Sequence, residues 1–302
     1  MNFTKLLKDK TTFIVGSGKN AGKTSFLNYA LDSLRPETGV AYLSVGVDGE
    51  RTDAVFGHPK PQIHAVRGDL LITAETALPP SEASFEILNV YPAQTALGRL
   101  VLLRTLREGR VELIGPENNT QLREILSDLE KHKAATILVD GAVDRITQAA
   151  SHRKAHLVHV AKVEPENLQS ALDTMKLIYS ASKIPQYSAC AGAYDCERLF
   201  PAEGPAILRQ GDRALVRGAV TRTKLAGLLK TDKEVIFEDL TKLFITYAEW
   251  AGLEKKHSVY FALKLDLSVF IVNLYNVSKD DFLRKLDNPE LETRLLFNPY
   301  TA

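Results

Sequence analysis

Residues 13–25 read F-I-V-G-S-G-K-N-A-G-K-T-S, and the chemistry that this order suits is the holding of phosphate. Glycines let consecutive backbone N–H groups curl around an anion, and a helix opening behind them turns its positive dipole end to the same charge. Lys23 has the reach and charge for the β- and γ-phosphates, and the Thr24 hydroxyl is placed to ligate Mg²⁺. The expected cradle is Gly16, Ser17, Gly18, Lys19, Asn20, Ala21, Gly22, Lys23, Thr24 and Ser25. A strand–turn–helix that uses its glycines only for tight packing would share part of this pattern. Against it, the triplet Gly22-Lys23-Thr24, the apolar strand before it and the amphipathic helix after it all agree.

Binding phosphate is not hydrolysing it; carboxylates must organise metal and water. Ile137-Leu138-Val139-Asp140 has the form of an apolar strand delivering an acid at its carboxyl end, where ligands of open α/β sheets bind. Asp140 is therefore expected to hold Mg²⁺, directly or through a water; the rival reading is a turn at Asp140-Gly141. A second acid, Asp48 in V-G-V-D-G-E-R, is expected near the metal and the attacking water, with Glu50 as its competitor. Asp144-Arg145 reads either as a γ-phosphate-sensitive switch or as a surface ion pair. His152, His156 and His159 have helical spacing in part, but His156-Leu-Val-His159 alternates as a strand does, which splits them across faces. Cys190 and Cys196 lack the companions of a zinc site and read as free thiols.

These groups need a scaffold that delivers them to one edge. Strand 11–15, helix 22–34 with its Leu27, Ala30, Leu31 and Leu34 stripe, and strand 40–45 follow one another directly. Residues 54–88 break into short extended runs and read as an antiparallel excursion, and 100–105 with 111–114 as a hairpin. Helix 120–132, strand 135–139, strand 156–160 and helix 165–182 come next, then a loop-rich stretch at 184–205. Strands at 206–209, 214–220, 234–237, 258–263 and 267–274, with helices at 224–229, 241–251 and 280–286, complete the reading. Strands alternating with helices predict an α/β fold with a mostly parallel sheet covered on both faces. One domain over 1–302 is expected, with a subdivision into a nucleotide-binding core at 1–183 and a C-terminal extension of the sheet at 184–302.

Composition excludes more than it assigns. A net charge of +1, with acids and bases interspersed, gives no nucleic-acid footprint. Two cysteines suit a reducing compartment, and neither a signal peptide nor a run of roughly 18–20 apolar residues appears. A cytoplasmic protein without membrane contact is expected. No N-K-x-D guanine motif occurs, which favours ATP as the nucleotide.

From Gly16 to Gly22 the loop is G-x5-G-K-T, one residue longer than the usual G-x4-G-K-[ST]. It resembles the loops of dethiobiotin synthetase and the cobyrinate amide synthases, in a P-loop class that includes MinD-like ATPases. The signature lysine of the MinD type would fall at Gly18, so Lys19 is displaced by one. It touches a γ-phosphate in cis or a partner's nucleotide in trans, or is a solvated side chain that raises the local potential.

The order G-K-N-A-G-K-T-S-F-L-N, V-G-V-D-G-E-R-T-D-A-V-F-G followed by K-P-Q-I, V-E-L-I-G-P, L-V-D-G-A-V-D-R, F-E-D-L-T-K-L-F-I and F-I-V-N-L-Y is similar to the lysine 5,6-aminomutase reactivase ATPases. Leu274-Tyr275 and Leu240 depart from that family's pattern. The resemblance implies a P-loop NTPase fold and a Mg²⁺-dependent ATPase that helps an adenosylcobalamin-dependent aminomutase shed inactivated cobalamin. It also implies a second reactivase subunit; a homodimer is the other assembly considered. The alternative, from loop length alone, is a dethiobiotin-synthetase-like ligase that phosphorylates a small carboxylate or carbamate.

Overall fold

The apolar runs of the chain become strands because they are rich in Val, Ile and Leu, and most are buried on both faces, as parallel strands must be. The computed structural model describes residues 3–18, 20–45, 47–48, 62–141, 155–190, 198–200 and 204–300, without the side chains of 47, 48, 93 and 119. The main strands are β1 (Thr11–Gly16), β2 (Val40–Val45), β3 (Leu70–Ala74), β4 (Ser84–Thr95), β5 (Gly98–Arg107), β6 (Thr136–Gly141) and β7 (Ala155–Val163). They continue with β8 (Ile207–Gln210), β9 (Arg213–Val216), β10 (Glu234–Phe237), β11 (Ser258–Phe261), β12 (Leu265–Leu274) and β13 (Leu295–Phe297). The longer helices are α1 (Lys23–Leu34), α2 (Asn119–Lys131), α3 (Leu168–Ser182), α4 (Tyr247–Glu254) and α5 (Lys279–Leu286).

Nine strands form one sheet in the order β13-β12-β7-β1-β6-β2-β3-β5-β4. All pairings from β13 to β3 are parallel; β5 and β4 add an antiparallel edge. The fold is thus α/β with a large, mostly parallel central sheet, compatible with a Rossmann-like or P-loop arrangement. Helices cover both faces. On one face Phe26, Leu27, Ala30, Leu31 and Leu34 of α1 pack with Ile14, Tyr42, Leu138, Val158 and Val269. On the other, Leu122, Ile125, Leu126 and Leu129 of α2 and Leu172 and Met175 of α3 pack with Phe13, Leu43, Val139, Leu157 and Phe270.

The sheet departs from the sequence expectation at one edge. The hairpin is β4 with β5, turning at Gly98 (φ 106°), whereas 109–111 pairs back to Ile63–Ala65 and 113–114 to Val47–Asp48. β4 was hard to read because its register slips at three places, one of them across Pro92, so its alternation never runs long. Within the expected excursion Ile63–Ala65 and β3 do pair antiparallel, with 109–111 and β5, and the antiparallel part continues through β4 to Arg107; residues 54–61 of the excursion lie outside the described residues.

Between α3 and β12 the chain builds a second sheet, β8-β9-β10-β11. It is joined to the main body by aromatic packing: Trp250 of α4 stacks on Phe261 at 6.1 Å, and its indole N–H donates to Ser180 of α3 at 3.1 Å. The helix expected at 241–251 is instead a turn of 3-10 helix at 240–242 followed by α4, because Thr246 and Glu249 form a capping box that fixes the start. The chain then returns to the main sheet as β12. Among the described residues no helix is long and apolar enough to cross a membrane.

Candidate functional site

The cradle is assembled at the carboxyl end of the central strands. β1 ends at Gly16, and the turn is tied at once to its neighbour: Ser17 N–H donates to the Val160 carbonyl at 2.9 Å, and Lys162 N–H to Ser17 Oγ at 3.3 Å. Asn20 (φ 58°) and Gly22 (φ 96°) adopt the left-handed conformation, which reverses the chain into α1. Ser17, Gly18 and Asn20 are exposed, while Ala21 is buried and anchors the turn among the residues packed under α1.

Gly22 is the N-cap of α1, and no side chain caps that end; nor does the first turn hold an acid. The leading N–H groups of a twelve-residue helix therefore face the turn with their partial positive charge uncompensated. The Lys23 side chain folds back over the start of the loop: its Cγ lies 3.0 Å from where a Cβ on Gly16 would stand. Glycine at 16 is what lets the lysine lie along the turn. Thr24 and Ser25 follow, half-buried in the first helical turn.

Asp140 comes to the same place from β6, directly beside β1, with Ile14 and Ser44 as its register partners on either side. It is fully buried. Side chains alternate along a strand, so Asp140 shares the face of Leu138, which is the face that α1 covers. Hydroxyl and carboxylate oxygens are the donor set that Mg²⁺ takes, completed in nucleotide sites by phosphate. Among the described residues no group of three His, Cys, Asp or Glu side chains stands ready to hold a metal on its own.

Asp48 is brought toward this edge by its backbone, which pairs with Leu113 in a short antiparallel ladder beside β2. That ladder is fixed by Gly115, whose Cα packs so close to the Ser44 carbonyl that a Cβ there would stand 1.5 Å from the oxygen. Lys19, Glu50, Asp144, Arg145, His152 and Cys196 lie outside the described residues. His156 and His159 sit in β7 as alternation requires. His159 is buried edge-on to Phe270 at 5.7 Å, and burial lowers its pKa to about 4, so it is a neutral core side chain.

Two contributors come from the far end of the chain. Asn273, buried at the end of β12, donates from Nδ2 to the Ala21 carbonyl at 2.8 Å. Tyr300 packs edge-on against Tyr29 of α1 at 6.4 Å, with its hydroxyl against Gly22; burial raises its pKa to about 12. Nothing in the segment F-I-V-N-L-Y distinguishes Asn273 as a support of a loop more than 200 residues away.

No protein-family model, curated protein or solved structure matches this chain.

Proposed function

We propose that the chain is a Mg²⁺-dependent ATPase of the P-loop type, whose bound nucleotide sets its grip on a partner protein. The observation that carries this reading is the uncapped N-terminus of α1 behind a glycine turn, with Lys23 folded over Gly16. The amides of the turn and first helical residues hold the phosphate chain, and Lys23 neutralises charge on the terminal phosphate. Thr24 and Asp140 would hold Mg²⁺, which supplies charge neutralisation across the β- and γ-phosphates. Asp48 or Glu50 orients the water. Presence or loss of the γ-phosphate at this edge of the sheet sets the affinity for the partner. The motif order points to an adenosylcobalamin-dependent aminomutase as that partner.

Calorimetry with ATP and Mg²⁺ tests the reading. The unaltered protein is expected to bind, and Lys23→Ala to bind at least about tenfold more weakly while keeping its circular dichroism, a loss of roughly 1.4 kcal/mol. No heat of binding in the unaltered protein, or equal affinity in the variant, would sink the proposal.

A further inference from the structure

A second concavity, of about 780 Å³, opens between residues 222–230 and the helix and turn at 249–257. Its walls carry an apolar group, Leu225, Leu228, Leu229 and Leu253, with His257 among the polar side chains that also line it. Leu229 is 51% exposed, and Phe244, whose strand pairs at Thr221 beside the cleft, is 62% exposed. Exposed large apolar side chains grouped at one place mark an interaction site more often than they mark bare surface.

The rim has a sign. Arg222, Lys230 and Lys256 border the cleft against the single carboxylate of Glu249. That carboxylate is already engaged: one oxygen accepts from the Thr246 N–H at 2.8 Å and hydroxyl at 3.0 Å, and the other lies 3.5 Å from Arg222. Lys230 and Lys256 have no carboxylate against them among the described residues and stand exposed. The cleft is therefore apolar within and positive around its mouth.

We infer that this cleft receives an acidic amphipathic helix of a partner protein. A cavity that takes a small molecule encloses most of it, whereas this one is partly open to solvent. The apolar stripe of a docked helix, spaced i, i+3 or i+4, and i+7, fills the walls between Leu225 and Leu253. Its flanking carboxylates meet Arg222, Lys230 and Lys256, which orient the helix and exclude a basic one. This surface uses none of the residues of the phosphate cradle, so its test stands apart from nucleotide binding.

The full-length protein is used to select from a phage-displayed library of helical peptides with randomised faces. Enrichment of peptides carrying the apolar stripe with flanking Asp or Glu is expected. Their binding, read by fluorescence anisotropy, is expected to weaken at least about tenfold in the double variant Lys230→Glu/Lys256→Glu and to fall with added salt. Circular dichroism checks that the variant is folded. No enrichment, enrichment without acidic residues, or unchanged binding to the charge-reversed variant would each overturn the inference. Displacement of an apolar dye by decanoate with no peptide enriched would assign the cleft to a small amphiphile instead. Self-association abolished by Leu229→Glu would assign it to a second copy, again against the inference.

Discussion

A methyl group added at Gly22 would stand 2.6 Å from the Tyr300 hydroxyl and 2.8 Å from the Asn273 amide nitrogen, on a backbone at φ 96°. Asn273 does not give way cheaply, since it is buried and bonded to Ala21. Left-handed backbone alone costs a residue with a Cβ about 1–2 kcal/mol. Gly22→Ala should therefore lower the unfolding free energy from urea titration by at least that amount as well as weaken ATP binding. Gly16→Ala meets only the flexible stem of Lys23 and the Ala21 methyl, at 3.0–3.2 Å. It should displace the lysine and weaken ATP binding while leaving the unfolding free energy within about 0.5 kcal/mol. Equal stability losses in the two variants would contradict this division of roles.

At the scale of elements, β7 carries a group whose protonation the fold opposes. His159 faces the side of the sheet that holds Leu157 and Phe270, and burial holds its pKa near 4. The unfolded chain, with an ordinary imidazole pKa near 6.5, binds the proton more readily. Stability from this residue is therefore complete above about pH 6.5 and is lost as the pH falls toward 4. Between pH 7 and pH 5 the loss should be about 2 kcal/mol, and His159→Leu should flatten that part of the profile. Urea titrations at several pH values measure it; identical slopes in the two proteins would refute the assignment. The strand itself was legible, as were β1, β2, β6 and α1, because continuous apolar runs and a 3.6-residue stripe are local features. The β4–β5 hairpin was not, because β4 is broken by bulges and its partner choice depends on β3. Gly115 looks like an ordinary loop glycine until the Ser44 carbonyl is seen against it.

For the whole molecule, the cradle is an agreement among distant stretches. Residues 16–25 form it, Val160 and Lys162 hold its opening turn, and Asn273 and Tyr300 hold its exit. Long-range support of this kind leaves no pattern in a single sequence, which is why the turn between β1 and α1 could be read and its supports could not. The second sheet belongs to the same apolar continuum, since Val216, Phe237, Trp250 and Phe261 share one buried cluster with Leu172 and Met175 of α3 and Phe270 of β12. A ligand that binds only the native cradle should therefore stabilise both sheets together. At about one hundred times its dissociation constant, Mg²⁺-ATP should add roughly 2.7 kcal/mol. In a scanning calorimeter that is one unfolding transition, moved upward by on the order of 5 °C, and by at most about half as much in Lys23→Ala at the same nucleotide concentration. Two transitions, of which nucleotide moves only one, would mean that 207–261 melts as its own unit and that the shared cluster does not couple it to the cradle.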